Sequence, residues 1–370
     1  MEENHIIDDS QHAFRTGRST LTNLIETDKY ISKWVNDSVP FDIISFDMSR
    51  AFDRVPHKNI IQILCHYGFH NNVVAWFHSF LTSRSQFVKV GSSSSGDTPV
   101  TSGIIQGSVV GPTLWALFIN TVTRRLKVPS ILFADDLKML VNLLEIDNNQ
   151  AQEEINVFSK WCIANEVIVN TEKSCYLHSS KENKTSYHCG SIPLSEAFSF
   201  KDLGVIRSSD GSYALHADYA MAKAQKISSA IIKNIIIPNR SIGWKLFQTY
   251  VQPVLLYASV AWNNKNSQMS IMLEKVQRKY TKKLNGLAKH EYKDRLRALR
   301  VCSLAAMRTY YDLIFAFKII HKRMPFDPSD FGMQLSNRSR APLFIQEKIH
   351  CERARNFARY RIPEEWNALT

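Results

Sequence analysis

Apolar residues recur along the chain at two spacings, every three to four positions and every second position, which predict helices and strands respectively. Over residues 20–36 the helical spacing predicts one amphipathic helix. Pro40 is expected to end this region and to lead the chain into a strand at 41–46. The pattern therefore predicts a mixed α/β fold. Further predicted elements are a helix between Pro56 and Gly68, a helix over 71–81, a strand over 86–90, a helix over about 113–122, and two short strands joined by a turn at 200–205.

Beyond about Ser209 the pattern changes to helices with one apolar face and one basic face. From Tyr213 onward the chain has 27 Lys and Arg against 11 Asp and Glu, whereas residues 1–212 have 19 against 23. This imbalance indicates that the second half follows a polyanion and that the first half attracts cations. Solvated helix faces are the simpler alternative. The apolar face comprises Leu273, Val276, Tyr280, Leu284 and Leu287, and the basic face comprises Lys275, Arg278, Lys279 and Lys282.

Length and composition narrow the class of protein. A chain of 370 residues exceeds the size at which one core usually stops growing, so two domains are expected. No apolar run reaches about 18 residues, so the sequence predicts no membrane span. The polar amino terminus lacks the apolar core of a signal peptide, and the six scattered cysteines lack the spacing of zinc ligands. These features predict an intracellular protein, in the cytoplasm or the nucleus, without a membrane partner.

Two acidic positions follow apolar runs that read as strands. Asp135 and Asp136 end the run that begins at Ser130, and Asp47 ends another run 88 residues before Asp135. Mg²⁺ prefers hard oxygen ligands, and two such ions about 3.5–4 Å apart can support an in-line displacement at phosphorus. We therefore predict that Asp47 and Asp135 bridge two metal ions. The alternative is that each aspartate merely begins a turn, a common role for Asp after a strand.

A glycine-containing loop precedes the helix predicted at about 113–122. Gly103 and Gly107 allow a close backbone approach to a flat or bulky ligand, and the Gln106 amide can hydrogen bond to a base edge or a sugar. Pro112 suits the first turn of the helix. Taken alone, this segment predicts only a loop before a helix.

In their order, these segments resemble the reverse transcriptase of a non-LTR, LINE-like or jockey-type retrotransposon. The likeness covers most of the chain, and its C-terminal part, over 251–262, 303–308 and 366–369, is less specific. Six segments match motifs of that family. Residues 11–20 match a fingers motif, 46–53 motif A, 103–108 motif B, 133–136 motif C, 165–173 motif D, and 200–205 the primer-grip motif E.

The resemblance implies an α/β (α+β) right-hand polymerase palm with partial fingers and a helical, basic thumb. It places partial fingers at 1–40, the palm at 41–208 with a fingers segment at about 57–100, and the thumb and C-terminal region at 209–370. Ile105 stands where the family usually has proline. No endonuclease region or zinc knuckle is found in the sequence, so the chain is expected to be a fragment or a truncated copy of a longer element.

The same resemblance implies roles for the acidic residues in RNA-directed DNA synthesis. Asp47 and Asp135 would bind two Mg²⁺ ions, with Mn²⁺ as a substitute, and Asp136 would support the site and could serve as a ligand. The backbone carbonyl of Met48 could add another ligand. Lys173 would protonate or steady the leaving pyrophosphate, unless it is an ordinary surface lysine. The primer 3′-hydroxyl would attack the α-phosphate of a dNTP.

Substrate-binding roles follow from the resemblance in the same way. Phe52 occupies the position of a steric gate, where an aromatic ring excludes the 2′-hydroxyl of a ribonucleotide; the alternative is a core aromatic residue. Gln106 would line the nascent base pair or the template, and Gly107 would leave space for the nucleotide. Arg15 and Arg18 match basic fingers residues that hold triphosphate oxygens or template backbone.

Two other functions share parts of this pattern. A non-catalytic RNA-binding relic of the element would keep the basic thumb and need no metal ion. An RNA-dependent RNA polymerase would share the palm chemistry but would need room for a 2′-hydroxyl, which Phe52 argues against. The partners expected for the favoured interpretation are an RNA template, a DNA primer and dNTPs.

Overall fold

The computed structural model describes residues 6–183, 185–237, 239–264, 267–331 and 344–369. The chain divides into two compact units. The first, called here the sheet unit, comprises Met1–Ser19 and Pro40–Ala197, and the second, called the helical unit, comprises Thr20–Val39 and Phe198–Thr370.

Strands and helices are numbered separately, each in chain order. The helices are α1 (Thr20–Asn36), α2 (Ala51–Arg54), α3 (His57–His66), α4 (Asn71–Leu81), α5 (Gly111–Thr123), α6 (Asn148–Ala164), α7 (Ala214–Asn234), α8 (Arg240–Leu246), α9 (Gln252–Leu256), α10 (Ser259–Trp262), α11 (Ser267–Lys282), α12 (Tyr292–Leu299), α13 (Leu304–Ile320) and α14 (Ala358–Asn367), with a π-helical turn at Phe247–Val251 and 3-10 turns at Pro328–Phe331 and Ala354–Asn356.

The strands are short, and most of them belong to the sheet unit. They are β1 (Phe41–Phe46), β2 (Met48–Ser49), β3 (Arg84–Gln86), β4 (Lys89–Val90), β5 (Ser93–Ser94), β6 (Thr98–Val100), β7 (Ser130–Phe133), β8 (Asp136–Asn142), β9 (Ile168–Val169), β10 (Cys175–His178), β11 (His188–Cys189), β12 (Ile192–Pro193), β13 (Ser195–Glu196), β14 (Ser199–Asp202) and β15 (Val205–Ser208).

A five-stranded sheet with the order β13-β10-β1-β8-β7 forms the centre of the sheet unit. Strand β1 lies between β8 and β10 and pairs antiparallel with both, and five of its six residues, Phe41–Phe46, are buried. Beside the sheet, buried aromatic residues of α5 and α6 form much of the core. Four of these are Trp115, Phe118, Phe158 and Trp161.

The helical unit combines helices with the small antiparallel sheet β14–β15. It contains two buried charged clusters. In the first, Arg207 pairs with Asp28 at 2.7 Å and with Asp202 at 3.2 Å. In the second, Arg361 donates two hydrogen bonds of 3.0 Å to Asp312. Removing Arg207 or Arg361 would take away the ion-pair partner of a buried carboxylate.

Most predicted elements are confirmed. The helix over 20–36, the strand over 41–46 and the helix over 71–81 have the predicted bounds, and the two strands that flank the 200–205 turn are present. The single strand predicted at 86–90 is wrong, because the chain forms two short strands, β3 and β4, that pair with different partners.

The periodicity over 273–287 predicted the correct burial but the wrong helix end. Helix α11 ends at Lys282, and the chain continues through turns. Leu284 and Leu287 are nevertheless buried, and the four residues of the predicted basic face are exposed. Within the described ranges, no helix has both the length and the apolar character needed to cross a membrane.

Candidate active site

The β7–β8 hairpin carries the acidic pair at its turn. Phe133 pairs with Asp136, so Ala134 and Asp135 form the two-residue turn. Ala134 has a φ of 56°, a left-handed conformation that costs a residue with a Cβ roughly 1–2 kcal/mol. Glycine is the usual solution in such turns. The turn therefore holds a strained residue directly before Asp135, and the surrounding structure must stabilise it.

The register of β1 and β8 brings the second acidic position to the same edge. Phe46 pairs with Leu137, so one further residue along this antiparallel ladder places Asp47 opposite Asp136. The Asp47 backbone is held on both sides. Its N–H donates to Ser174 Oγ at 3.1 Å, and its carbonyl accepts from Asn170 N at 2.8 Å. Asp47 is thus fixed at a strand end beside the hairpin turn.

Electrostatics link Asp47, Asp135 and Lys173. Burial raises the pKa of Asp135, and the charge of Asp47 raises it further, whereas a hydrogen bond from its own backbone N–H and the charge of Lys173 act in the opposite direction. Lys173 Nζ lies 3.6 Å from Asp47 Oδ2, and 67% of its side chain is exposed. A mobile cation therefore stands beside two carboxylates whose like charges repel each other.

The chemistry of these residues fits a divalent cation. Mg²⁺ is usually bound by one or two carboxylates and completes its shell with water and substrate phosphates. Asp47 and Asp135 supply the carboxylates, and the Lys173 ammonium already provides positive charge beside Asp47. Asp136 begins β8 next to them, and Met48 begins β2, where it pairs with Val169. No group of three or more His, Cys, Asp or Glu suited to a metal occurs among the residues that the structure describes.

Phe52 lies on the short helix α2 and is half-buried. Its ring stacks on Trp115 with centroids 5.1 Å apart, and Phe14 contacts it edge-on at 6.1 Å. Trp115 Nε1 in turn donates to the carbonyl of Ala134 at 3.0 Å. One buried tryptophan therefore supports both Phe52 and the hairpin turn, and the half-exposed ring is compatible with a gate.

The loop before α5 packs against α2. Gln106 Nε2 donates to Asp53 Oδ1 at 3.0 Å, and a Cβ on Gly107 would meet open space. A Cβ on Gly103 would lie 2.7 Å from the Asp53 carbonyl oxygen. The close approach at Gly103 is therefore made to the chain's own backbone. Gln106 and Asp53 line an open groove of about 860 Å³, which three arginines also line: Arg50, Arg54 and Arg84.

The two arginines predicted to bind nucleotide or template hold their own segment together. Arg18 Nη2 lies 2.6 Å from Asp9 Oδ1, and Arg15 Nη1 donates to the Asp8 carbonyl at 2.7 Å. Only 5% of the Arg15 side chain and 8% of the Arg18 side chain are exposed. The structure thus brings Asp47, Asp135, Asp136 and Lys173 together and joins Gln106 to the segment of Phe52. Arg15 and Arg18 bind residues of their own segment, Asp8 and Asp9, and their predicted contact with nucleotide or template stays a prediction.

Sequence reasoning did not identify three residues that support this site: Gln11, Trp115 and Ser174. Their hydrogen bonds go to backbone atoms of Ala134 or Asp47, which are far away in sequence. Local spacing contains no signal for such contacts. Only Trp115 offered a signal, a polar group within an apolar segment, since a buried indole N–H normally finds a hydrogen-bond partner.

Comparison with protein families identifies the class of this chain. The model of the family described as reverse transcriptase (RNA-dependent DNA polymerase) matches residues 1–206. The chain therefore belongs to the reverse transcriptase family.

Curated relatives narrow the likeness to non-LTR retrotransposons, as predicted. The chain is 29% identical over 194 residues to the probable RNA-directed DNA polymerase from transposon BS of Drosophila melanogaster, a match that covers 47% of this chain and 20% of the relative. It is 25% identical over 230 residues to the RNA-directed DNA polymerase from mobile element jockey of the same species, covering 57% and 25%. A Pol polyprotein from retrotransposable element R2 of Popillia japonica matches at 25% identity, covering 33% and 22%. The chain thus spans about a quarter or less of these relatives.

Solved structures of telomerase are also similar to the chain. Apo telomerase from Candida tropicalis has a TM-score of 0.45 and 10% identity, covering 87% of this chain and 49% of that one. Telomerase from Candida albicans, in complex with a fragment of telomeric RNA, has a TM-score of 0.44 and 11% identity, covering 82% and 55%. A likeness of this size carries no weight for the function of the chain.

Proposed function

We propose that the chain is an RNA-directed DNA polymerase that adds dNTPs to a DNA primer on an RNA template by metal-dependent nucleotidyl transfer. The observation that carries this proposal is the register of β1 and β8, which brings Asp47 beside the turn that holds Asp135. Membership of the reverse transcriptase family supplies the reaction class. In this proposal residues 1–40 and about 57–100 serve as fingers segments, residues 41–208 as the palm, and residues 209–370 as the thumb and C-terminal region.

The acidic residues would hold two Mg²⁺ ions, with Asp47 and Asp135 as carboxylate ligands and Asp136 and the Met48 carbonyl as further oxygen donors. When bound, the ions supply activation of the primer hydroxyl and charge stabilisation at the leaving pyrophosphate. Burial raises the pKa of Asp135, and repulsion from the charge of Asp47 adds to this effect. A bound cation would remove that repulsion and keep both carboxylates ionised.

Lys173 fits a role at the leaving group. Its ammonium is a proton donor with a flexible stem, it lies beside Asp47, and it is exposed enough to move toward a bound triphosphate. We propose that Lys173 neutralises or protonates the departing pyrophosphate.

Phe52 would exclude ribonucleotides. Trp115 stacks on one side of its ring and Phe14 contacts it edge-on, so the ring has little freedom to move away from a 2′-hydroxyl. A rigid wall of this kind selects by collision. Gln106, fixed by Asp53, would contact the nascent base pair, with open space at Gly107 for the nucleotide.

Nucleic-acid binding would use positive charge in both units. In the sheet unit, Arg50, Arg54 and Arg84 line the groove that contains Gln106, and they suit template phosphates. In the helical unit, the basic face of α11 is exposed and suits the backbone of the template–primer duplex. Because phosphate contacts dominate such binding, affinity should fall steeply with salt.

Primer extension tests this function. Wild-type protein and the Asp135→Ala variant would be given poly(rA)/oligo(dT), dTTP and Mg²⁺, and template–primer binding would be measured in parallel. Asp97→Ala is the matched control, because Asp97 is an exposed aspartate in a loop of the same unit. We expect extension by the wild type and the control, and a loss of roughly a thousandfold in Asp135→Ala, about 4 kcal/mol of barrier.

The other outcomes would contradict the proposal in different ways. Extension by Asp135→Ala at the wild-type rate would remove Asp135 from the mechanism. Template binding without extension by any protein would favour a non-catalytic RNA-binding function. Equal use of UTP and dUTP by the wild type would indicate an RNA polymerase instead.

A further inference from the structure

Gln11 is buried beside the candidate site although it belongs to none of the motifs that carry the acidic residues. It is 2% exposed and lies in a segment that runs parallel to β7. Two backbone hydrogen bonds of 2.9 Å fix that segment, one from His12 N to the Leu132 carbonyl and one from Leu132 N to the Ser10 carbonyl. The backbone therefore aligns Gln11 with the end of β7.

Both ends of the Gln11 amide contact one residue of the hairpin turn. Its Oε1 accepts from Ala134 N at 3.1 Å, and its Nε2 donates to the Ala134 carbonyl at 3.5 Å. Trp115 Nε1 donates to the same carbonyl at 3.0 Å. Gln11 Oε1 also accepts from Ala13 N at 2.8 Å, which orients the amide. Both polar groups of the Ala134 backbone are thus satisfied by side chains.

Ala134 is the residue whose conformation needs such support. Its φ of 56° is unfavourable for any residue with a Cβ, and the following residue is Asp135. If the turn relaxed, the Asp135 carboxylate would move away from Asp47. Side-chain hydrogen bonds to a strained backbone are an established way to hold an uncommon conformation in place.

We infer that Gln11 is a positioning residue that holds the Ala134–Asp135 turn in the conformation presenting Asp135 to a divalent cation. This inference rests on the proposed function, because it assigns the turn to a metal-dependent polymerase. Gln11 contacts neither substrate nor metal in this scheme and acts through Ala134 alone. Its contribution is therefore to the geometry of metal binding and should be separable from nucleotide affinity.

Substitutions at Gln11 can be graded by the hydrogen bonds that they keep. Gln11→Met preserves the size and removes both contacts, whereas Gln11→Glu keeps the acceptor and loses the donor. The sheet unit offers a matched control. Gln152 Nε2 donates to the His188 carbonyl at 2.8 Å and its Oε1 accepts from His188 N at 2.9 Å, so Gln152→Met removes a two-ended contact of the same kind, but from a residue of strand β11.

The first measurement is Mn²⁺ binding, which does not require polymerase activity. Paramagnetic resonance of free Mn²⁺ would be followed as each protein is titrated. We expect Gln11→Met to weaken binding by about tenfold, a loss typical when a residue that orients a metal ligand is removed. Gln11→Glu should lie between it and the wild type, and Gln152→Met should match the wild type. Equal binding by Gln11→Met and Gln152→Met would overturn the inference.

A second substitution distinguishes positioning from a general loss of structure. Glycine adopts positive φ without strain, so Ala134→Gly should recover part of the Mn²⁺ affinity lost in Gln11→Met. A purely structural defect at Gln11 would not be rescued at Ala134. Melting temperatures of all variants would be recorded, and failure of the rescue with an intact fold would count against the inference.

Kinetics then connect the inference to the proposed function. With primer extension, Gln11→Met should lower kcat and raise the Mg²⁺ concentration at half-maximal rate, with the KM for dTTP nearly unchanged. If the wild type does not extend a primer, the proposed function fails, and Mn²⁺ binding and its rescue by Ala134→Gly still decide the role of Gln11.

Discussion

The β7–β8 turn of the sheet unit and the interior of the helical unit both bury polar groups, but they use these groups differently. At the turn, the neutral side chains of Gln11 and Trp115 bind the backbone of Ala134, and the carboxylates of Asp47 and Asp135 repel each other. In the helical unit, buried carboxylates pair with arginines, as Asp312 does with Arg361.

The difference in net charge separates the candidate active site from the clusters that stabilise the helical unit. The pair of Asp312 and Arg361 is fully buried and already neutral, and Arg361 also donates to the carbonyls of Val260 and Asn263. Such a cluster has no remaining charge to offer a ligand. The turn, in contrast, concentrates negative charge and leaves it only partly neutralised by an exposed lysine. In the proposed function this negative charge binds a cation, whereas the helical cluster contributes to stability.

The largest expected effect comes from breaking the helical cluster. Arg361→Met removes the ion-pair partner of the buried Asp312 and should lower the free energy of unfolding by about 3–5 kcal/mol. Asp135→Asn should not lower it, because this substitution removes a charge that the folded site disfavours, as the raised pKa shows. Urea unfolding followed by circular dichroism measures both variants.

A control for this contrast is Arg297→Met. Arg297 and Asp294 form an exposed pair 3.4 Å apart, so its loss should cost less than about 1 kcal/mol. If Asp135→Asn destabilised the protein as much as Arg361→Met does, the distinction between the two regions would fail.

The second effect concerns nucleotide selection. Phe52→Ala removes the ring that Trp115 and Phe14 hold, and we expect discrimination between dUTP and UTP to fall by roughly 10- to 100-fold, the value of a steric contact in a substrate pocket. Single-nucleotide incorporation on poly(rA)/oligo(dT) measures it. Phe87→Ala, at an exposed phenylalanine of the same unit, should discriminate as the wild type does. An unchanged preference in Phe52→Ala would make Phe52 a core residue only.

A third, smaller effect is the pH dependence of stability in the helical unit. Burial lowers the pKa of His216 to about 4, and the charge of Lys201 contributes. The neutral ring accepts a hydrogen bond from Ile206 N at 3.2 Å. Because the folded pKa lies below the unfolded value of 6.5, the stability due to neutral His216 is complete above pH 6.5 and is lost as pH falls toward 4.

We therefore expect the helical unit to lose about 2 kcal/mol of stability between pH 6.5 and pH 5 through this histidine. His216→Gln should show a correspondingly flatter dependence of unfolding free energy on pH. The same slope in wild type and variant would show that His216 does not titrate as its burial requires.

The smallest expected effect is at Lys173. Because its side chain is exposed, solvent can replace part of its role, and Lys173→Ala should reduce kcat by about tenfold, less than is typical of acid–base groups. Lys160→Ala, at an exposed lysine of α6, is the control. If Lys173→Ala and Lys160→Ala extended the primer at the same rate, Lys173 would be an ordinary surface lysine without a role in catalysis.

The sequence was sufficient for those features that depend on local pattern. Apolar runs that end at Asp47 and Asp135 predicted strand ends, and antiparallel pairing then brought the two ends to one edge. The sequence was not sufficient to predict contacts between segments that are far apart along the chain. The hydrogen bond between Gln11 and Ala134 joins residues 123 positions apart. Position 103 requires glycine because a Cβ there would collide with the backbone of Asp53. Arg15 and Arg18 match a fingers motif, and each forms an ion pair with Asp9, which lies a few residues earlier in the chain.

The most direct test of the central claim is divalent-cation binding at the strand ends. Mn²⁺ titration would compare the wild type with Asp47→Asn, Asp135→Asn and the control Asp97→Asn. We expect wild-type Mn²⁺ affinity in Asp97→Asn and a loss of more than about tenfold in each of the other two variants. Equal Mn²⁺ affinity in all four proteins would contradict the assignment of Asp47 and Asp135 as metal ligands.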